Sequence, residues 1–243
     1  MKRRDMLLTA MGLGAAVPAQ VAAGFAQDFS TMPALDMSQW HRAHYVFDNP
    51  HFDTDWDRGQ AHIAEGLTLA LRPHDVPRVD GNRFVSGSVR RMEPTRYGRY
   101  ETTLIAARGD GIVTGSFLYT GPAYGTQHDE IDWEIFGGDT RTAQVAWFKD
   151  GKITEQRIDL GFDAAEAPHR YGIEWGPDAI TWRVDGDVVF HTKQSVPRTP
   201  MRYFFNLWAV SPKLASWAGT PAPGIRATAH ATRITHAART ARS

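Results

Sequence analysis

His128-Asp129-Glu130-Ile131-Asp132-Trp133-Glu134-Ile135 alternates between acidic and apolar residues from Glu130 onward. Read as a strand, it points Glu130, Asp132 and Glu134 to one face and Ile131, Trp133 and Ile135 to the other. The apolar face can bury against a core. The opposite face then carries a row of carboxylates, each of which raises the proton affinity of the next. A purely structural strand gains nothing from that row, although exposed acidic strands do occur. Cleavage of a sugar bond does gain from it, because that chemistry uses one ionised carboxylate and one protonated carboxylic acid flanking the bond.

Outward from this stretch the chain keeps the period of strands. Leu67, Leu69 and Leu71 alternate with Thr68 and Ala70, and strands are predicted over residues 85–90, 97–106, 112–119, 143–149, 170–175, 180–184, 188–191 and 203–208. Asp80-Gly81, Asp110-Gly111, Asp150-Gly151 and Asp185-Gly186 are hairpin-turn pairs between them. No long amphipathic helix is predicted after the N-terminus. Short strands with Gly-containing turns predict an all-β sandwich or barrel, in one domain over residues 28–243. Residues 28–65 read as loops and short edge strands. The acid-free end from about Gly224 reads as a last strand and then a solvated basic tail.

The 243 residues suffice for a sizeable core. Lys+Arg and Asp+Glu balance at 27 each, so no overall field favours nucleic acid or an anionic membrane. Cysteine is absent, which removes disulfides, thiol catalysis and Cys-zinc sites. Lys2-Arg3-Arg4, an apolar run from Met6 to Val17 and small residues at Val21-Ala22-Ala23 and Gly24-Phe25-Ala26 predict an export signal over residues 1–27. The Arg3-Arg4 pair is similar to twin-arginine signals. The expected location is periplasmic or extracellular, with no membrane insertion once the signal is removed.

Zinc-protease, nucleophile-elbow, P-loop and dinucleotide-binding motifs are missing. Asp53, Asp55 and Asp57 have calcium-loop spacing, but Arg58 and Ala64 stand where such a loop uses Gly and Glu. The acidic strand is therefore the strongest catalytic constellation in the chain.

Glu130-Ile131-Asp132-Trp133-Glu134 resembles the E-x-D-x-E signature of family 16 glycoside hydrolases. Gly121 to Gln127, Gly137 to Thr140, Leu160 to Ala164, Val184-Asp185-Gly186 and Asn206-Leu207-Trp208 are similar to bacterial lichenases. The resemblance runs from about Leu67 to Trp217. It implies a β-jelly roll of two curved antiparallel sheets with a glycan cleft, and a retaining endo-β-glucanase acting on β-1,3-1,4-glucan. No extra residue precedes Glu134, so the strand should be regular rather than bulged.

The residues alone do not decide which glutamate does what, since the triplet is nearly symmetrical. The resemblance implies Glu130 as nucleophile, Glu134 as acid/base and Asp132 as the residue that orients and tunes both. Glu134 is expected to start protonated because Asp132 and Glu130 are negative. Arg90, His128, Gln144, Asn206 and Trp208 are implied substrate contacts, with Trp208 offering a stacking surface. The chain departs from the lichenase pattern at His128 (usually Trp), Ser88 (an acid), Ala146 (Asn) and Phe148 (Tyr). These changes predict weaker action on plain mixed-linkage glucan and a preference for a decorated or acidic one. No cofactor is implied, and no late acidic residue supports the family's structural calcium. The expected partner is the glycan alone, with a monomeric protein. An exopolysaccharide depolymerase or transglycosylase is the alternative with the same chemistry; a non-catalytic glycan-binding jelly roll is the alternative without it.

Overall fold

The computed structural model describes residues 24–76 and 81–239. The expected export segment lies outside the described residues as far as residue 23, and so does Asp80 of the first Asp-Gly pair. In chain order the strands are β1 (Phe25–Asp28), β2 (Trp40–Arg42), β3 (Thr54–Trp56), β4 (Ala61–Ala64), β5 (Gly66–Pro73), β6 (Phe84–Ser86), β7 (Ser88–Arg91) and β8 (Gly98–Ile105). They continue as β9 (Ile112–Thr120), β10 (Asp129–Phe136), β11 (Thr142–Lys149), β12 (Lys152–Asp159), β13 (His169–Trp175), β14 (Ile180–Val184), β15 (Asp187–Thr192), β16 (Arg202–Ala209) and β17 (Ala227–Ala238). A single α-helical turn, α1 (Ala215–Ala218), interrupts them among the described residues.

Among the described residues the strands form two sheets. The larger runs β15-β14-β13-β8-β17-β5-β6-β3, with β1 paired to β17 and β4 to β5; the other runs β12-β11-β10-β9-β16-β7-β2. Pairing is antiparallel throughout except between β3 and β6. Asp150-Gly151 and Asp185-Gly186 hold both residues at positive φ (53° and 79°, 52° and 103°), the geometry that a tight hairpin turn matched to strand twist requires.

The core lies between the sheets and is built from alternate residues of their inward faces. Ile131, Trp133 and Ile135 of β10 are buried there, with Trp175 and Trp182 of the larger sheet. The indoles are hydrogen-bonded, as buried polar handles must be. Trp133 Nε1 donates to the Gly172 carbonyl at 3.1 Å, and Trp182 Nε1 donates across the core to the Asp132 carbonyl at 2.9 Å. The acidic strand is thereby fixed from below by the opposite sheet.

Two elements, β12 and β1, differ from the sequence expectation. Lys152–Asp159 is a full strand, although six successive residues are exposed and show no alternation. The last strand expected after Gly224 is β17, which lies in the larger sheet between β8 and β5 and buries Ala227, Ala229, Ala231 and Ile234; the end of the expected tail, residues 240–243, lies outside the described residues. At the other end, β1 pairs with β17 through Phe25↔His236 to Asp28↔Arg233, so the folded region begins upstream of residue 28. The short strands expected in residues 28–65 are β2, β3 and β4, and their Trp40 and Trp56 are core residues.

Candidate active site

β10 pairs without interruption with β9 and β11, so Glu130, Asp132 and Glu134 all leave the same outer face. Antiparallel register arranges that face in rows. Arg202, Tyr119, Glu130 and Phe148 form one; His41, Arg90, Phe204, Phe117, Asp132, Ala146 and Glu155 form the next. Ser88, Asn206, Gly115, Glu134, Gln144 and Arg157 form the third. Glycine at 115 leaves the space that Asn206 Oδ1 occupies, so a Cβ there would displace the Asn206 side chain. Half-buried Phe117 and Phe204 stack at 5.1 Å, giving the face an apolar floor beside its acids.

Electrostatics separate the carboxyl groups. Burial, reinforced by the charges of Glu130 and Glu134, raises the Asp132 carboxyl well above the usual range, and a hydrogen bond with Glu130 adds to this. Asp132 is thereby biased toward its protonated form and shares a hydrogen bond with Glu130. Glu134 is pushed up to about 8, first by burial at the base of the site and then by the charges of Glu130 and Glu155. A Gln144 hydrogen bond and Arg157 oppose that rise. The sequence expectation assigns the effect to Asp132 and Glu130. Burial comes first, with Glu130 acting as expected and Glu155 standing in the place of Asp132.

The other candidate residues fall into distinct environments. His128 Nε2 meets Glu130 Oε2 at 2.5 Å, and its ring stacks on Phe148 at 4.4 Å. Its ring face and Nε2 are thus engaged by the protein, leaving an edge with 31% of the side chain exposed. Gln144 is buried; its amide donates to Glu134 at 3.4 Å and Glu155 at 3.2 Å, and its carbonyl accepts from Trp217 Nε1 at 3.0 Å. Asn206 is buried with Oδ1 lacking a hydrogen-bond partner. Arg90 reaches the same face, with its guanidinium 5.8 Å from the Tyr124 ring. Trp208 points to this face, but Phe52 stacks on it at 4.1 Å and Trp217 flanks it at 5.8 Å, leaving 5% exposed. The less buried Trp217 is the indole that borders the open recess of about 500 Å³ beside Gln144, Glu155 and Arg157.

Glu155 and Trp217 are not predicted from the sequence as site residues. Each comes from a segment without a recognisable pattern, and only topology brings it to β10. Asp129, at the start of the same strand, serves a structural purpose. Its carboxylate accepts from the backbone N–H groups of Asp150, Arg198 and Thr199 and ties two loops to the strand. Asp53, Asp55 and Asp57 each accept from protein donors, including Arg83, Asn82 and Gly59. Among the described residues no cluster of three His, Cys, Asp or Glu is placed to hold a metal.

The arrangement supplies a row of three carboxyl groups, with Glu134 held up to about 8, and an aromatic floor on one face. The model of glycosyl hydrolases family 16 matches residues 48–228. A beta-glucanase of Bacillus subtilis (strain 168) is 33% identical over 213 residues, covering 85% of this chain and 86% of the relative. The structure is similar to the Bacillus licheniformis beta-glucanase, with TM-score 0.83 and 29% identity over 90% of this chain and all of the other. It is equally similar to a beta-1,3-1,4-glucanase (lichenase) from a mouse hindgut metagenome, with TM-score 0.83, 28% identity and the same coverage.

Proposed function

The chain belongs to glycosyl hydrolases family 16, and from that premise we propose that it is a retaining endo-β-glucanase acting on β-1,3-1,4-glucan. The observation that carries the reading is two glutamates in different surroundings on one strand face: Glu130 hydrogen-bonded by Asp132 and His128, and Glu134 buried and held up to about 8.

The roles follow from charge. Glu134 donates its proton to the leaving glycosidic oxygen as the C1–O bond breaks. Glu130 attacks C1 and forms a glycosyl ester. Forming the ester removes the Glu130 charge, one of the causes that hold the Glu134 proton, so Glu134 becomes acidic enough to accept a proton from water. That water attacks C1 and releases Glu130, giving net retention. Asp132 and His128 steady Glu130 through their hydrogen bonds. Gln144 sets Glu134, and Arg90, Asn206 and the Phe117–Phe204 floor receive the sugar. No step draws on a cofactor. Glu130→Gln should abolish release of reducing ends from lichenan while the circular-dichroism spectrum stays unchanged; undiminished turnover in that variant would sink the assignment.

Export is proposed on the basic start, apolar run and small residues of the N-terminus. Cleavage before Gly24 leaves β1 whole, whereas cleavage before Gln27 would remove half of it. The mature protein should therefore begin at Gly24 and act as a monomer in the periplasm or outside the cell. An intact Met1 on the native protein would count against export.

A further inference from the structure

Charge is unevenly spread across the outer face. Glu130, Asp132, Glu134 and Glu155 lie on β10 and β12, together with Arg157 of β12. Arg202, Arg90 and His41 lie on β16, β7 and β2, in the other half of the same sheet. Because the whole chain balances at 27 basic and 27 acidic residues, this is a local separation rather than an overall excess. Strand spacing puts Arg202 about 10 Å from Glu130 along their row, and Arg90 about 14 Å from Asp132 along theirs.

The two arginines lack a counter-ion. Their guanidinium groups lie 4.2 Å (Arg202) and 5.8 Å (Arg90) from the ring centre of one residue, Tyr124. Arg202 donates to the Met92 carbonyl and Arg90 to the Arg91 carbonyl. Among the described residues neither pairs with a carboxylate, whereas Arg72, Arg83, Arg99, Arg108, Arg170 and Arg183 all do. Glu93 acts on Arg202 only at a distance, and Arg90 repels both Arg202 and a protonated His41. Beside them is a recess of about 150 Å³ lined by Tyr45, Arg90, Tyr124 and Phe204, with no acid in its wall. Two unpaired guanidinium groups held over an aromatic ring form a site that an anion completes, since planar forks match carboxylate and sulfate geometry.

We propose that the β16–β7–β2 half of this face is a subsite for an anionic substituent, carboxylate or sulfate, on a β-glucan lying across the sheet. The polysaccharide part rests on the glucanase reading above; the anion subsite rests on the arginines. Glu130 and Glu155 disfavour a negative group near the cleaved bond, so the substituent docks a few sugar rings away, on the β7 side. The unpaired arginines on one side and Glu130 and Glu155 on the other thus select both an acidic glucan and the position of its cut.

The test uses the Glu130→Gln protein, so that binding is measured without turnover. Calorimetry compares a neutral lichenan oligosaccharide, its carboxymethyl derivative, the methyl ester of that derivative and a sulfated form. At low salt the carboxymethyl or sulfated form should bind roughly tenfold more tightly than the neutral form or the ester. The advantage should shrink as salt rises, and the more favoured charged form identifies the substituent class. Adding Arg202→Gln should remove most of it, and Arg202→Lys should retain part, with circular dichroism confirming the fold of each. Equal affinity for the charged form and its ester would overturn the proposal, and so would a preference untouched by both Arg202→Gln and Arg90→Gln. Turnover of neutral lichenan by the unmodified enzyme checks the underlying reading separately: hydrolysis of no β-glucan would sink that reading, while the calorimetry still decides the subsite.

Discussion

At the scale of single residues, the chemistry turns on Glu134. A group held up to about 8 stays protonated at neutral pH, and its donor form is lost as pH rises through that value. The kcat/KM on lichenan should therefore fall above about pH 8. Glu134→Gln should lower hydrolysis of lichenan by roughly 10²–10⁴-fold, the usual contribution of a general acid, yet spare the first step on an aryl glycoside whose leaving group needs no proton. Equal loss on both substrates would place Glu134 outside that role. His128 bears on substrate choice at this scale. Imidazole offers less stacking area than the indole usual in lichenases, and its Nε2 is committed to Glu130. If the Trp variant, His128→Trp, gains nothing in kcat/KM on lichenan, the expected weakness toward plain mixed-linkage glucan is wrong. The triplet itself is legible in the sequence because alternation exposes a face. The pairing of His128 with Glu130 is not, since side chains two apart meet on a strand only when their rotamers lean together.

At the scale of elements, β12 and β11 act on the same proton from opposite directions. Glu155 on β12 helps hold the Glu134 proton, whereas the Gln144 amide on β11 favours its release. Glu155→Gln should move the alkaline limb of the rate profile to lower pH, by a few tenths of a unit given its exposure. Gln144→Met should move it to higher pH. Shifts of the same sign would refute the arrangement. β12 is hidden in the sequence because an edge strand exposed on both faces has no period to detect. β17 is legible as a last strand, but its central place in the sheet is not: Ala, Thr and His fill it, so its buried alternate positions carry mostly small side chains rather than obvious apolar ones. The strands rich in aromatic and branched residues, with their Asp-Gly turns, are legible because each buries one regular face.

At the scale of the molecule, the same buried acids tie activity to stability. Asp132 and Glu134 have raised folded-state values, so between the unfolded and folded values the native state binds more protons than the unfolded chain. Their contribution is fully present below the ordinary carboxylate range and is lost as pH rises, for Glu134 from about 4.5 through about 8. Tm should thus fall from pH 5 toward pH 9, and Glu134→Gln should flatten that slope. For a chain of this length, each kcal/mol is worth about 2–4 °C. EDTA should leave kcat/KM on lichenan unchanged, because no proposed step uses a metal; a loss restored by calcium would contradict this.

Fold, strand register and buried acids converge on one bond, the ester between C1 of the sugar and Glu130. That bond can be trapped with a 2-deoxy-2-fluoro cellobiosyl donor, which slows the second step, and located by peptide mass spectrometry. The expected result is a single modification on Glu130, formed in step with loss of activity and reversed on adding an acceptor sugar. A label on Glu134 or Asp132, or full inactivation without any label on Glu130, would contradict it.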